Sequence, residues 1–147
     1  MTIVGDPARS PETAAALIRI VQRAGIAEKV SLTGVLSDDA LAAEYAHSDV
    51  FVTASHFEGY GMAVTAAIAS GLPVVATAGG ALSQTIGNAG LLVTPNDAGA
   101  LAASLRGVIA DPQTRAQLRR ASLAAAKELP TWSDTAACFA AALEGLA

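Results

Sequence analysis

Five short, nearly continuous apolar runs recur along this chain with helical periods between them: Thr2-Ile3-Val4, Val30-Ser31-Leu32-Thr33, Val50-Phe51-Val52-Thr53, Val74-Val75-Ala76-Thr77 and Leu91-Leu92-Val93. Their apolarity, without polar alternation, predicts strands buried on both faces. Between the first two runs, Ser10-Pro11 supplies an N-cap and a proline at the first helical position. Leu17, Ile18 and Val21 form that helix's core stripe, and Gly25 closes it. A second helix starts at Ser37-Asp38 and is expected to bury Leu41 and Tyr45; a third runs from Ala63 to Ser70 and stops at Gly71-Leu72-Pro73. Alternation of this kind predicts an α/β fold with one doubly wound parallel sheet, all five runs joining it and helices covering both faces.

After Val93 the pattern changes to three helical stretches. Asn96 or Asp97 caps the first, which presents Leu101, Leu105 and Val108. Asp111-Pro112 opens the next, and Leu129-Pro130 stops it. Thr131 and Asp134 then form a capping-box pattern for a last helix carrying Phe139, Leu143 and Leu146. The length of 147 residues suits one domain with a real core. A net charge of −4, with no basic cluster beyond Arg119-Arg120, argues against a nucleic-acid partner. His47 and His56 stand apart from any ligand-spaced set, so no metal is expected. Cys138, the single cysteine, falls at an apolar helical position and is expected to be buried. No apolar run approaches the roughly 20 residues that a membrane-crossing helix needs, which is most simply read as a cytoplasmic chain.

In an open α/β sheet, ligands bind beyond the carboxyl ends of the strands, which directs attention to the loops after Thr33, Thr53 and Thr77. The second loop, Ser55-His56-Phe57-Glu58-Gly59-Tyr60-Gly61, leads directly into a helix. Gly59 and Gly61 could let backbone approach a ligand while the helix's first N–H groups hold a phosphate, or they could simply make a tight turn. Thr77-Ala78-Gly79-Gly80 carries the same two readings. Neither loop has P-loop or Gly-x-Gly-x-x-Gly spacing. Glu58, the one acid here, is suited to accept hydrogen bonds from the hydroxyls of a polyol or sugar, with a solvated loop carboxylate as the alternative.

From Ile3 to about Leu146 the chain resembles the carboxyl-terminal domain of the retaining GT-B-type glycosyltransferases called group 1. The resemblance rests on Val4-Gly5-Asp6-Pro7, Leu32-Thr33-Gly34-Val35, Asp49-Val50-Phe51-Val52, Ser55 to Gly61, Ala69 to Thr77, Gly79-Gly80 and Gly90-Leu91-Leu92-Val93-Thr94-Pro95, in that order. It implies a Rossmann-like half of a GT-B architecture with a helical carboxyl-terminal segment, residues 1–147 forming the nucleotide-sugar-binding domain. It further implies a fragment that lacks its first strand-helix unit, with the arginine and lysine that neutralise the donor diphosphate, and the amino-terminal acceptor domain. Any membrane contact would then be peripheral and belong to the full-length enzyme.

The resemblance assigns Glu58 to donor-sugar hydroxyls, the backbone through Gly59, Tyr60, Gly61, Met62 and Ala63 to sugar and phosphate, and Gly34-Val35 to the edge of the nucleobase pocket. Ser55 and Thr77 either line the site or cap turns. No catalytic nucleophile and no cofactor is implied, because the UDP-, GDP- or ADP-linked sugar is itself a substrate. The family pattern places a second glutamate, for the nucleotide ribose, where this chain has Ala66, eight residues after Glu58. Gln84 likewise stands where many relatives have glutamate. Both departures keep open a noncatalytic binding or scaffold module; half of a nucleotide-sugar epimerase is a further alternative. With its partner domain absent, the last helix is expected either to expose its apolar stripe and self-associate through residues 131–146, or to place Trp132 and Phe139 in the domain's own core. Restoring the ribose acceptor by Ala66→Glu should tighten nucleotide-sugar binding about tenfold or more, the equivalent of one hydrogen bond to a charged group, when titrated calorimetrically in a chain that includes the diphosphate-binding segment.

Overall fold

The strand Val74–Thr77 is buried at every residue, because it alone has hydrogen-bonded neighbours on both edges. The structure, a computed structural model, describes residues 1–145 and divides into two compact units, Met1–His47 and Ser48–Ala147. Leu146, expected on the apolar stripe of the last helix, lies outside the described residues.

In the first unit, β1 (Thr2–Val4) pairs in parallel with β2 (Ser31–Gly34), with a register irregularity between Ile3 and Val4. They are joined by a 3-10 turn, Pro7–Arg9, and by α1 (Pro11–Arg23), which begins on its proline as expected. Val21 is buried, Leu17 half-buried and Ile18 exposed, and Gly25 ends the helix at φ 66°. The helix α2 (Asp38–His47) follows, with Leu41 and Tyr45 half-buried rather than buried.

In the second unit, β3 (Phe51–Thr53), β4 (Val74–Thr77) and β5 (Gly90–Val93) form a parallel sheet in the order β3-β4-β5. Phe51 lies opposite Val74, and Val74 opposite Gly90. A side chain at Gly90 would bring a Cβ to 2.8 Å from that of Val74, so glycine permits this register. The helices α3 (Met62–Ala69) and α4 (Leu82–Ile86) bury Val64, Ala67, Ile68, Leu82 and Ile86. Each of the larger side chains contributes roughly 1.5–3 kcal/mol by leaving water. Helices α5 (Ala98–Ala110) and α6 (Pro112–Ala125) close a second cluster, in which Val75, Val108 and Leu118 pack with Leu91, Leu101 and Leu105. Ser122 is fully buried and donates to Leu72 O at 2.7 Å and Ala89 O at 3.2 Å, fastening α6 to the segments that enter β4 and β5. Arg115 donates to Val108 O and Ile109 O, satisfying carbonyls that the end of α5 leaves open.

The α/β class, the parallel pairing and the helical end agree with the sequence reading. The single five-stranded sheet does not: the strands pair as β1-β2 and as β3-β4-β5. Apolar runs specify which segments become strands but not which strand edges meet, and pairing is decided by the latter. Burial on both faces holds for β4; the edge strands β1, β2, β3 and β5 remain partly exposed.

The helix α7 (Trp132–Glu144) departs further. Its capping box forms as expected, and hydrogen bonds from the Thr131 hydroxyl and N–H hold the Asp134 carboxyl below the usual carboxylate range. Yet α7 buries none of its side chains: Trp132 is 90% exposed, Phe139 66% and Leu143 54%. Cys138, expected in the interior, is exposed for the same reason, since a helix that packs on nothing leaves its apolar positions in solvent. Among the described residues no helix is long and apolar enough to cross a membrane.

Candidate functional site

At the carboxyl ends of β3 and β4 two loops lie against each other. The first, residues 54–61, carries the chain from β3 into α3; the second, residues 78–81, runs from β4 to α4. Three carbonyls of the first loop accept hydrogen bonds from the second segment. Thr77 Oγ1 donates to Ser55 O at 2.5 Å, Ala81 N to Glu58 O at 2.9 Å, and Thr85 Oγ1 to Tyr60 O at 3.1 Å.

So close an approach excludes side chains between the loops. A Cβ on Gly79 would stand 2.6 Å from His56 O, and one on Gly80 would overlap Glu58 O. Gly80 also has φ +64°, a conformation costly for other residues. The open question about the Gly79-Gly80 turn is thereby answered within the protein: these glycines let one loop dock on the other. Gly61 is the left-handed N-cap of α3 at φ +83°, and a Cβ there would meet Leu82 Cδ2 at 2.7 Å. Gly59 differs, because its φ is not left-handed and nothing lies within 4 Å of an added Cβ. Neither local packing nor backbone geometry requires glycine at position 59.

Glu58 is half-buried between these supports, and its Oε1 accepts from Ser55 Oγ at 2.8 Å. Ser55 Oγ in turn lies 3.2 Å from Thr53 Oγ1. A carboxylate has acceptor positions for about four donors, so the bond from Ser55 leaves most of that capacity available. Just beyond, Tyr60, Met62 and Ala63 are exposed where α3 begins. The loop is thus a short run in which a carboxylate, a glycine that nothing else demands and a helix start adjoin. Ala66 is half-buried one turn further along α3 and offers only a methyl group. Gln84 is exposed on α4 and lines, with Tyr60, an open groove of about 770 Å³ that extends to Leu129 and Pro130.

Of the other expected site residues, Gly34 and Val35 belong to the first unit. Gly34 ends β2 at φ +70°, which accounts for the glycine, and Val35 is 75% exposed. Thr77 is buried and serves as a loop clamp rather than as lining. Ala81 and Thr85, the remaining clamps, carry no signal in the sequence, because nothing local marks hydrogen bonds between residues 23 and 25 positions apart.

Comparison with known proteins follows this geometry. The family model described as "Glycosyl transferases group 1" matches residues 1–124. The chain is 33% identical over 129 residues to an MMP alpha-(1->4)-mannosyltransferase of Mycolicibacterium hassiacum, covering 86% of this chain and 31% of that protein. Among solved structures it is similar to sucrose-phosphate synthase of Thermosynechococcus elongatus, with a TM-score of 0.85 and 30% identity, over 99% of this chain and 38% of the other. It is also similar to Anabaena HepE, solved in complex with UDP-glucose, with a TM-score of 0.77 and 25% identity, over 86% and 35% of the two chains. The chain therefore spans about a third of the length of these proteins.

The two kinds of glycine separate by substitution. Gly80→Ala should lower stability by more than the roughly 1–2 kcal/mol that the left-handed backbone alone costs a side chain. Gly59→Ala should leave the unfolding free energy within about 0.5 kcal/mol of the parent, both measured by chemical denaturation.

Proposed function

The chain belongs to the group 1 glycosyltransferase family, and from that premise we propose that it is the donor-binding domain of an enzyme that transfers a sugar from a nucleotide-diphosphate sugar to an acceptor. The observation that carries this reading is the braced loop after β3, where Glu58, held by Ser55, immediately precedes Gly59 and the start of α3. In this proposal the free acceptor positions of Glu58 take hydrogen bonds from donor-sugar hydroxyls. The backbone of Gly59 to Ala63 lies along the sugar and phosphates, and the positive end of α3 favours the diphosphate.

Transfer proceeds with retention at the anomeric carbon. The bond between that carbon and the diphosphate oxygen breaks, and negative charge collects on the leaving diphosphate. Fixed dipoles and cations stabilise this charge, because they are oriented before it develops. In this proposal the transfer needs, besides the donor site, a surface that binds the acceptor and excludes water. HepE, to which the chain is similar, was solved with UDP-glucose, which supports a nucleotide-sugar ligand here.

Ala66 and Gln84 favour a second reading, a noncatalytic module that retains the fold, since neither side chain supplies the carboxylate usual at its position. Titrating UDP, GDP and ADP into the chain by calorimetry separates the two. Weak, saturable binding that prefers one nucleotide is expected; absence of saturable binding for all three would leave the noncatalytic reading.

The exposed face of α7 we assign to association between chains. Trp132, Phe139 and Leu143 are spaced seven and four residues apart, which places them along one side of a helix. Contiguous apolar surface of a few hundred Å² on a soluble protein usually marks a contact. Sedimentation should show concentration-dependent association of the full chain and a folded monomer for a chain ending at Pro130. A strictly monomeric full chain, or a truncation that unfolds, would overturn this assignment.

A further inference from the structure

We infer that Ser55 is a positioning residue that sets the orientation of the Glu58 carboxylate, an inference that rests on the donor-sugar role proposed for Glu58. The hydroxyl of Ser55 has one proton, and the 2.8 Å bond commits it to Glu58 Oε1, since an ionised carboxylate can only accept. The 3.2 Å contact between Thr53 and Ser55 is then donated by Thr53 Oγ1. The result is a directed chain, Thr53 to Ser55 to Glu58, that begins on β3 and ends at the carboxylate. Each link polarises the next, so the bond to Glu58 gains from the one behind it.

The backbone beneath this chain is held at both ends. The carbonyl of Ser55 accepts from the buried Thr77 hydroxyl, and that of Glu58 accepts from Ala81 N. With donor and acceptor residues both anchored, the side-chain bond fixes how the glutamate's rotatable stem extends over the loop. It occupies one acceptor position of Oε1 and leaves Oε2 to the ligand. Loss of the serine hydroxyl would leave the backbone clamps intact but release the stem to sample other rotamers. The cost would fall on the contact with the sugar, which needs a single carboxylate orientation, and not on the contact with the nucleotide.

The experiment uses the 147-residue chain with three probe pairs, UDP with UDP-glucose, GDP with GDP-mannose and ADP with ADP-glucose, titrated against the parent chain, Ser55→Ala, Ser55→Thr and Glu58→Ala. For the pair that binds, Ser55→Ala should weaken the sugar nucleotide about 3–10-fold, in line with one lost hydrogen bond, while the free nucleotide changes less than about twofold. Ser55→Thr, which keeps the hydroxyl, should restore the sugar preference. Without ligand, three-bond scalar couplings of Glu58 should change from those of one rotamer to averaged values in Ser55→Ala and not in Ser55→Thr. Unchanged couplings in Ser55→Ala, or equal weakening of nucleotide and sugar nucleotide, would overturn the positioning role. If Glu58→Ala keeps the sugar preference, or if no pair binds, the donor-sugar role of Glu58 fails instead. The couplings still decide whether Ser55 positions Glu58.

Discussion

The docking of the β4-α4 turn onto the β3-α3 loop is the contact on which the candidate site depends. Carbonyls at positions 55, 58 and 60 would otherwise compete for water along an irregular stretch, and a flexible loop would hold no carboxylate in place. Thr77, Ala81 and Thr85 satisfy them from one neighbouring segment. That segment can come so near only because positions 79 and 80 lack side chains. Stiffness is thus imported from β4, the fully buried strand, into the loop that carries Glu58.

The same contact divides the work among the glycines. Gly61, Gly79 and Gly80 have steric reasons that lie entirely within the protein, whereas Gly59 has none. A glycine unexplained by backbone conformation or packing is what close approach of a ligand to backbone would require. Ala66 weighs in the opposite direction. A methyl group accepts no hydrogen bond, so the side chain at position 66 offers nothing to a ribose hydroxyl.

The last helix shows a different kind of incompleteness. Its capping box is local, needing Thr131 and Asp134 only, and it forms whether or not the helix finds a surface to pack on. Burial of Trp132, Phe139 and Cys138 is not local, and none of it occurs. An apolar stripe establishes that a helix has a face to hide but does not say where the covering surface comes from.

Much of the architecture was legible in residue order. Five apolar runs became five strands, Pro11 and Pro112 opened helices, Asp97 and Asp111 capped α5 and α6, and glycine after Thr53 marked the loop that bears the candidate carboxylate. These features depend on periodicity, capping and backbone conformation, which act over a few neighbouring residues and so are written locally. The break between β1-β2 and β3-β4-β5, the half-exposure of edge strands and the bare face of α7 depend on which elements meet. The roles of Thr77, Ala81 and Thr85, and the steric need for Gly79 and Gly80, likewise arise between segments distant in sequence. Sequence alone determined the elements and the residue types at the loop. Tertiary structure decided which of those residues brace it and which are left facing outward, because bracing is a matter of distances of about 3 Å between groups that only the fold brings together.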